Sequence, residues 1–283
     1  MTVSVVIPAF RAQATIARAV TSLVAQTRSD WEGIVVSDDG ADYDAALREA
    51  GVTDERLRFV STGRVGSGCH RARNTGLAAA RGDFIAALDA DDLILPGHLE
   101  TLLPIATKSG AAFGNVRVVA EASGIEVQRA FPAGRIPERL DIAGLLDLSV
   151  PLLPLTAREH VQPRLDGIEF GEDFVANMRL IDRLGPAPVA SACTYEYRVV
   201  EGSLCHDDAS ADRFERSYTE LIERLDTGDR LGLSDANVRL ARERLVAKRD
   251  LNRAFATARA NEPALDFQTF AARRVSPSSP APT

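Results

Sequence analysis

Residues 3–7, Val-Ser-Val-Val-Ile, form a mostly β-branched run closed by Pro8, the pattern of a buried strand that runs straight into a loop. Ile16, Val20, Leu23 and Val24 then recur at helical spacing and predict an amphipathic helix. A second strand is expected over residues 33–37, ending in Asp38-Asp39-Gly40, with a helix around Ala45, Ala46 and Leu47 after it. Residues 57–60 read as a short third strand, residues 70–80 as an alanine-rich helix, and residues 84–88 as a fourth strand ending in Asp89-Ala90-Asp91-Asp92. Strands alternating with helices imply right-handed crossovers and a mostly parallel sheet covered on both faces. In such sheets ligands gather at the carboxyl ends of strands, where both acidic clusters fall.

After Pro96 the rhythm changes. Leu99, Leu102 and Leu103 predict a helix, residues 111–120 a strand or hairpin, and residues 142–148 another helix. Glu172 opens a helix whose Phe174, Met178 and Ile181 share a face, with its acids at the positive N-terminal end. Residues 189–199 read as a strand, residues 212–260 as two helices, and the Pro/Ser-rich residues 276–283 as a disordered tail. No internal repeat is apparent.

Composition narrows the class without naming it. The chain has 283 residues and 45% hydrophobic content, enough to close a real core. A net charge of −7 disfavours nucleic acid as the main partner, because phosphate backbones are gripped by clustered Lys and Arg. The three cysteines, Cys69, Cys193 and Cys205, lack C-x-x-C spacing, so neither a disulfide framework nor a zinc site is indicated and a reducing cytoplasm fits best. The N-terminus lacks the basic start and cleavage site of a signal peptide. The apolar stretch of residues 142–155 is broken by Asp147 and prolines and is too short to span a bilayer.

The chemistry concentrates in carboxylates. Asp89 and Asp91, one residue apart at a strand end, offer the hard oxygen ligands that Mg²⁺ or Mn²⁺ prefers, and Asp92 could orient them or touch a sugar. A metal clamp suits a leaving diphosphate, which gains negative charge as its bond breaks. Acidic loops after strands are also commonly just solvated, so this motif does not decide the matter alone.

A longer ordered series does. Val5-Val6-Ile7-Pro8-Ala9-Phe10, Ser37-Asp38-Asp39-Gly40, Ala72-Arg73-Asn74-Thr75-Gly76-Leu77, Ala80-Arg81-Gly82-Asp83-Phe84, Leu88-Asp89-Ala90-Asp91-Asp92 and Gly171-Glu172-Asp173-Phe174 follow one another in this order. The series resembles glycosyltransferase family 2, of the GT-A fold, over residues 3–100 and again over 158–203. The resemblance implies a Rossmann-like α/β sheet and an inverting transfer from a nucleotide-diphosphate sugar, UDP-sugars favoured, to a hydroxyl acceptor that is a saccharide or a lipid-linked saccharide. It also implies a catalytic domain over residues 1–206, split near 108 into nucleotide-sugar and acceptor halves, then a helical region over 207–262 and a tail over 263–283.

The resemblance assigns roles residue by residue. Pro8, Ala9 and Phe10 match the loop that packs on the nucleotide base, Asp39 the carboxylate that accepts from the base imide, and Arg73 the basic residue near base and diphosphate. Asp89, Ala90, Asp91 and Asp92 match the metal and donor motif, with Asp91 the direct ligand of Mn²⁺ or Mg²⁺ and Asp89 beside it. Asp173 matches the catalytic base. Val200 stands where a histidine is common, and His206 is the substitute candidate for a metal or phosphate contact. Each has a plainer alternative: Phe10 a core aromatic, Asp39-Gly40 a turn, Arg73 the partner of a surface acid, and one acid of the Glu172-Asp173 pair a complement to the helix dipole. His70 and His98 read as ordinary helix residues.

Two other classes compete. A sugar-nucleotide pyrophosphorylase would want a glycine-rich basic loop after the first strand, where Pro8-Ala9-Phe10-Arg11 stands, and no G-x-G-x-x-G follows Ile7 as a dehydrogenase would need. A catalytically silent nucleotide-sugar-binding module would not need Asp91 and Asp173. Residues 237–260 carry seven basic residues against two acids, a stripe that could rest on an anionic membrane, on a second copy of the chain, or simply in solvent as the outer face of a packing helix.

Overall fold

A computed structural model describes residues 1–168, 170–199 and 210–262, together with 265, 267, 270 and 273. The N-terminal half is the expected alternation: β1 (Val3–Ala9), α1 (Ile16–Val24), β2 (Trp31–Ser37), α2 (Tyr43–Glu49), β3 (Leu57–Ser61), α3 (Cys69–Ala79) and β4 (Phe84–Ala87). β1 pairs in parallel with β2 and β4, and β2 with β3. Val3, Val5 and Ile7 are wholly buried on one face of β1 and Val6 is buried on the other, which is why the run reads as continuously apolar. α1 covers the first face with Ile16, Ala19, Val20 and Leu23, and α3 covers the second.

The remaining elements are β5 (Leu93–Ile94), α4 (His98–Ser109), β6 (Ala111–Ala120), β7 (Glu126–Arg129), β8 (Arg139–Leu140), α5 (Ile142–Asp147), β9 (Leu155–Ala157), α6 (Glu172–Leu184), β10 (Ala187–Val199), α7 (Ser210–Asp226) and α8 (Asp235–Asn261). Among the described residues the strands form one sheet in the order β3-β2-β1-β4-β9-β6-β10-β5, with β7 on β6 and β8 on β10. The mostly parallel sheet expected is fully parallel over β3-β2-β1-β4 and mixed beyond it. β9 runs antiparallel to both β4 and β6 and joins the two halves. A three-residue strand is too short to show a hydrophobic period, so the sequence gives no sign of it.

The C-terminal helices share the main core rather than building a separate one, for Leu221, Ile222, Leu225, Ala241 and Leu245 belong to the same buried cluster as β1 and α4. The basic stripe of α8 is largely committed inside the chain. Arg242 pairs with Asp226 at 2.5 Å, Arg244 with Asp147 at 2.9 Å and Arg253 with Glu215 at 2.6 Å. Lys248 Nζ donates to the Leu148 carbonyl at 2.6 Å and lies 4.8 Å from the Phe174 ring centroid. Burial pulls the Lys248 ammonium down to about 8, the mark of a group docked against protein rather than spread on a charged surface. The 276–283 tail lies outside the described residues, and so does Cys205.

Gly76 lets α3 sit close on the sheet. A Cβ there would stand 2.3 Å from Val6 Cγ1 and 3.1 Å from Val36 Cγ2, atoms of two buried strands that cannot both move aside. Gly76→Ala is expected to lower stability by about 1–3 kcal/mol through overpacking, despite alanine's better helix propensity. Chemical denaturation of the two proteins measures it, and an equal or higher stability for the variant would show that the helix can shift outward freely.

Candidate active site

Phe10 follows β1, Asp39 lies just past β2 and Asp89 just past β4. Because β2, β1 and β4 are neighbours and parallel, these three ends lie side by side on one edge of the sheet. Pro8 and Ala9 are the last residues of β1, with Ala9 buried. Phe10 is 42% exposed, so it is no core aromatic, and the Arg11 guanidinium lies 5.0 Å from its ring centroid. Arg11 adopts a φ of 53°, a left-handed value uncommon outside glycine, Asn and Asp, and its N–H donates to Asp39 Oδ2 at 2.7 Å.

Asp39 is thus heavily engaged. Besides Arg11, the Tyr43 hydroxyl donates to Oδ2 at 3.0 Å, while Ala41 N–H and the Ser37 hydroxyl donate to Oδ1 at 3.0 and 3.2 Å. Burial alone would raise its pKa, but these hydrogen bonds outweigh it and hold the carboxyl below the usual range. Asp39 organises the turn after β2, and a ligand N–H would have to share it. Its buried neighbour Asp38 accepts from Thr62 Oγ1 at 2.7 Å, Ser67 N–H at 3.1 Å and Gly68 N–H at 2.9 Å, which fixes the start of α3 against the end of β2.

α3 delivers Arg73 to the centre of the site, buried rather than solvated. Its Nη2 donates to Asp89 Oδ1 at 2.6 Å, and its Nη1 donates to Glu172 Oε1 and lies 3.4 Å from Asp173 Oδ1. One guanidinium therefore ties the acidic end of β4 to the start of α6. Burial opposes its charge, but Asp173 and Asp89 overcompensate and raise its pKa well above the ordinary value. Glu172 is not a surface acid answering a helix dipole. It is buried, and its second oxygen receives Arg164 Nε at 3.0 Å, so it serves as a counter-ion to two arginines. Asp173 is the more accessible acid, within 3.5 Å of Arg164 Nη2.

The three aspartates of the Asp89-Ala90-Asp91-Asp92 loop differ sharply in surroundings, while Ala90 between them is simply buried. Asp92 is 1% exposed and accepts from the Tyr195 hydroxyl and from Arg198 N–H, both at 2.8 Å. Burial, then the charges of Asp89 and Asp91, push it well above the usual carboxylate range. Asp89 is also raised by burial, with Arg73 pulling the other way. Asp91 differs again: its backbone carbonyl accepts from Arg18 Nη2 at 3.0 Å, but its carboxylate has no ion-pair partner among the described residues. Burial and the nearby Asp89 charge raise it to about 6.

Among the described residues no group of three or more His, Cys, Asp or Glu stands in a position to hold a metal ion by itself. His206 lies outside the described residues. His98 is buried, its Nδ1 3.1 Å from the Thr194 carbonyl oxygen, and burial lowers it to about 4, so it is a neutral structural group. His70 is buried as well.

The model of the family described as Glycosyl transferase family 2 matches residues 4–151, just over half of the chain. The chain belongs to that family. Succinoglycan biosynthesis protein ExoO of Rhizobium meliloti is 30% identical over 98% of this chain and 89% of its own length. The Escherichia coli UDP-Glc:alpha-D-GlcNAc-diphosphoundecaprenol beta-1,3-glucosyltransferase WfgD is 33% identical over 41% of this chain and 46% of its own length. Among solved structures, Staphylococcus aureus TarS 1-349 superposes with a TM-score of 0.65 at 17% identity, over 92% of this chain and 74% of that one. The same TarS region in complex with UDP-GlcNAc superposes at 0.62. These structural likenesses establish the GT-A fold.

Two residues of this glycosyltransferase's site, and the role of a third, carry no sequence signal of their own. Arg164 lies in an irregular segment, Tyr195 on a long strand, and the counter-ion role of Glu172 depends on an arginine 99 positions away. Tyr195 ties the acidic loop to β10 twice, donating to Asp92 and accepting from Asp89 N–H at 3.2 Å. Tyr195→Phe leaves both buried groups short of a partner and is expected to cost about 1–3 kcal/mol of stability. Denaturant titration reads that loss, and a stability within error of the parent would mean that the loop is held by Arg198 alone.

Proposed function

We propose that this glycosyltransferase moves a sugar, with inversion, from a nucleotide-diphosphate sugar to a hydroxyl of a saccharide or lipid-linked saccharide, with Mn²⁺ or Mg²⁺ at Asp91. The observation that carries the reading is the meeting of two acidic groups across Arg73: Asp89 and Asp91 after β4, and Asp173 at the start of α6. The residues present fit a divalent cation. Asp91 is a half-buried carboxylate with no ion-pair partner among the described residues, raised to about 6 by burial and the nearby Asp89 charge, and magnesium-type sites commonly rest on one or two carboxylates, with substrate phosphates completing the shell. Asp91 would hold the ion with Asp89 beside it, and the bound ion would stabilise negative charge on the departing diphosphate.

The chain's own residues supply the rest. Phe10 offers an exposed aromatic face to a base, with Asp39 at the adjacent strand end as its hydrogen-bond partner. Asp173 takes the proton from the acceptor hydroxyl as that oxygen attacks the anomeric carbon opposite the diphosphate, which leaves with the bonding electron pair. A UDP-sugar is favoured because WfgD is named for UDP-Glc and TarS binds UDP and UDP-GlcNAc. The names of ExoO and WfgD point to polysaccharide or lipid-linked glycan assembly, and hence to work at the cytoplasmic face of a membrane. Among the described residues no helix is long and apolar enough to cross one. We assign residues 1–206 as the catalytic unit and 207–262 as its helical buttress.

Calorimetry with UDP tests the donor side: affinity should fall by at least tenfold when EDTA replaces Mn²⁺ and in Asp91→Ala, and equal binding in all three would remove the metal assignment. The catalytic side rests on Asp173→Asn. It should bind UDP as the parent does while turnover of UDP-glucose with a polyprenyl-diphosphate GlcNAc acceptor falls by about two orders of magnitude. Near-normal transfer by that variant would place the base elsewhere.

A further inference from the structure

Arg164 sits in the irregular stretch between β9 and α6, where no regular hydrogen-bond ladder fixes the backbone. The stretch is nonetheless pinned at this residue. Asn74, the neighbour of Arg73 on α3, donates from Nδ2 to the Arg164 carbonyl at 3.0 Å and accepts the Arg164 N–H on Oδ1 at 2.7 Å. A side-chain amide that engages both backbone groups of one residue fixes its position and its orientation, as a strand partner would. One residue earlier, the Pro163 carbonyl accepts from Arg179 Nη1 of α6 at 2.7 Å, so the segment is tied to two helices at adjacent peptide units.

The side chain so placed reaches the acids at the head of α6. Arg164 Nε lies 3.0 Å from Glu172 Oε2 as an ion pair, and Nη2 is 3.5 Å from Asp173 Oδ1, on the oxygen that Arg73 Nη1 approaches to 3.4 Å. The same Asp173 oxygen is thus bracketed by two guanidinium groups, which leaves Oδ2 as the oxygen with no partner among the described residues. Consecutive residues of α3 do complementary work: Arg73 approaches the carboxylate directly, and Asn74 sets the second arginine that brackets it.

We infer that Arg164 is a positioning residue of the transfer reaction, set in place by the Asn74 clasp, and that the pair fixes the Asp173 carboxylate so that its free oxygen faces the acceptor. The inference rests on the reading of Asp173 as the base. Misplacing a reacting group by about 1 Å can cost about a hundredfold in rate, so the effect belongs in turnover and not in donor binding.

The experiment uses the full chain with Mn²⁺, following UDP release from UDP-glucose with the polyprenyl-diphosphate GlcNAc acceptor, and UDP affinity by calorimetry. Arg164→Gln is expected to lower kcat at least tenfold with UDP affinity and donor KM within about twofold of the parent, and Arg164→Lys, which keeps a donor and a charge, to recover part of the loss. Asn74→Ala should reproduce the kcat defect, and Asn74→Ala combined with Arg164→Gln should be no worse than Arg164→Gln alone, because both remove the same contact. An unchanged kcat in Arg164→Gln overturns the inference, and so does a defect that Arg164→Lys shares in full or that adds independently to Asn74→Ala. Asp173→Asn is assayed in parallel: if it retains transfer, the base assignment fails, whereas a dead Asp173→Asn beside a fully active Arg164→Gln refutes the positioning role alone. Should Arg164→Gln fold poorly, Asn74→Ala and Arg164→Lys carry the same comparison.

Discussion

A guanidinium withdrawn from water is tolerable only when carboxylates surround it, and carboxylates packed together are tolerable only around a cation. Arg73 meets both conditions at once. It lies buried between Asp89, which ends one half of the sheet, and Glu172 and Asp173, which begin the helix after the other half's first strands. Removing it would leave three acids facing one another with only Arg164 to offset them, so the two halves are held in register by charge as well as by packing. The same constraint explains why Gly76 follows three residues later on α3: the helix must lie close on β1 and β2 for Arg73 to reach both acidic groups.

That arrangement divides labour among acids that look alike. Glu172 and Asp92 are buried, one ion-paired with two arginines and the other hydrogen-bonded to Tyr195 and the Arg198 backbone. They build the site. Among the described residues Asp91 has no ion-pair partner and the contacts of Asp173 fall on Oδ1 alone, so these two are the acids left less engaged. Asp39 belongs with the builders, since four donors converge on it. Burial and hydrogen-bond saturation, rather than residue type, separate the two sets.

The second structural decision is made by β9. Three residues, Leu155–Ala157, pair with β4 on one side and β6 on the other, converting a parallel four-stranded sheet into a continuous mixed one. The chain then runs through the segment carrying Arg164 before α6 begins. α7 packs on this segment, with Ser217 Oγ donating to the Phe170 carbonyl at 2.5 Å and Arg224 Nη1 to the Asp166 carbonyl at 3.5 Å, while Lys248 and Arg244 of α8 meet Phe174 on α6 and Asp147 on α5.

How much of this was legible beforehand depends on the range of the interactions involved. Strands and helices of the first hundred residues are written in local hydrophobic period, and their alternation implies parallel strands, so the placement of both acidic clusters at strand carboxyl ends was available from the sequence, while the neighbour order β2-β1-β4 came from the structure. The candidates Arg73, Asp91 and Asp173 came from the ordered motif series and its resemblance to the family; Arg73 stands within α3, Asp91 just past β4 and Asp173 in the first turn of α6. What only the tertiary structure decided is which acid pairs with which arginine. The Arg73–Glu172 contact spans 99 positions, Asn74–Arg164 spans 90 and Tyr195–Asp92 spans 103, and no local period encodes a contact between segments that far apart. The sequence named the charges; their burial and their partners were set by the way the sheet closes through β9 and brings the head of α6 against α3.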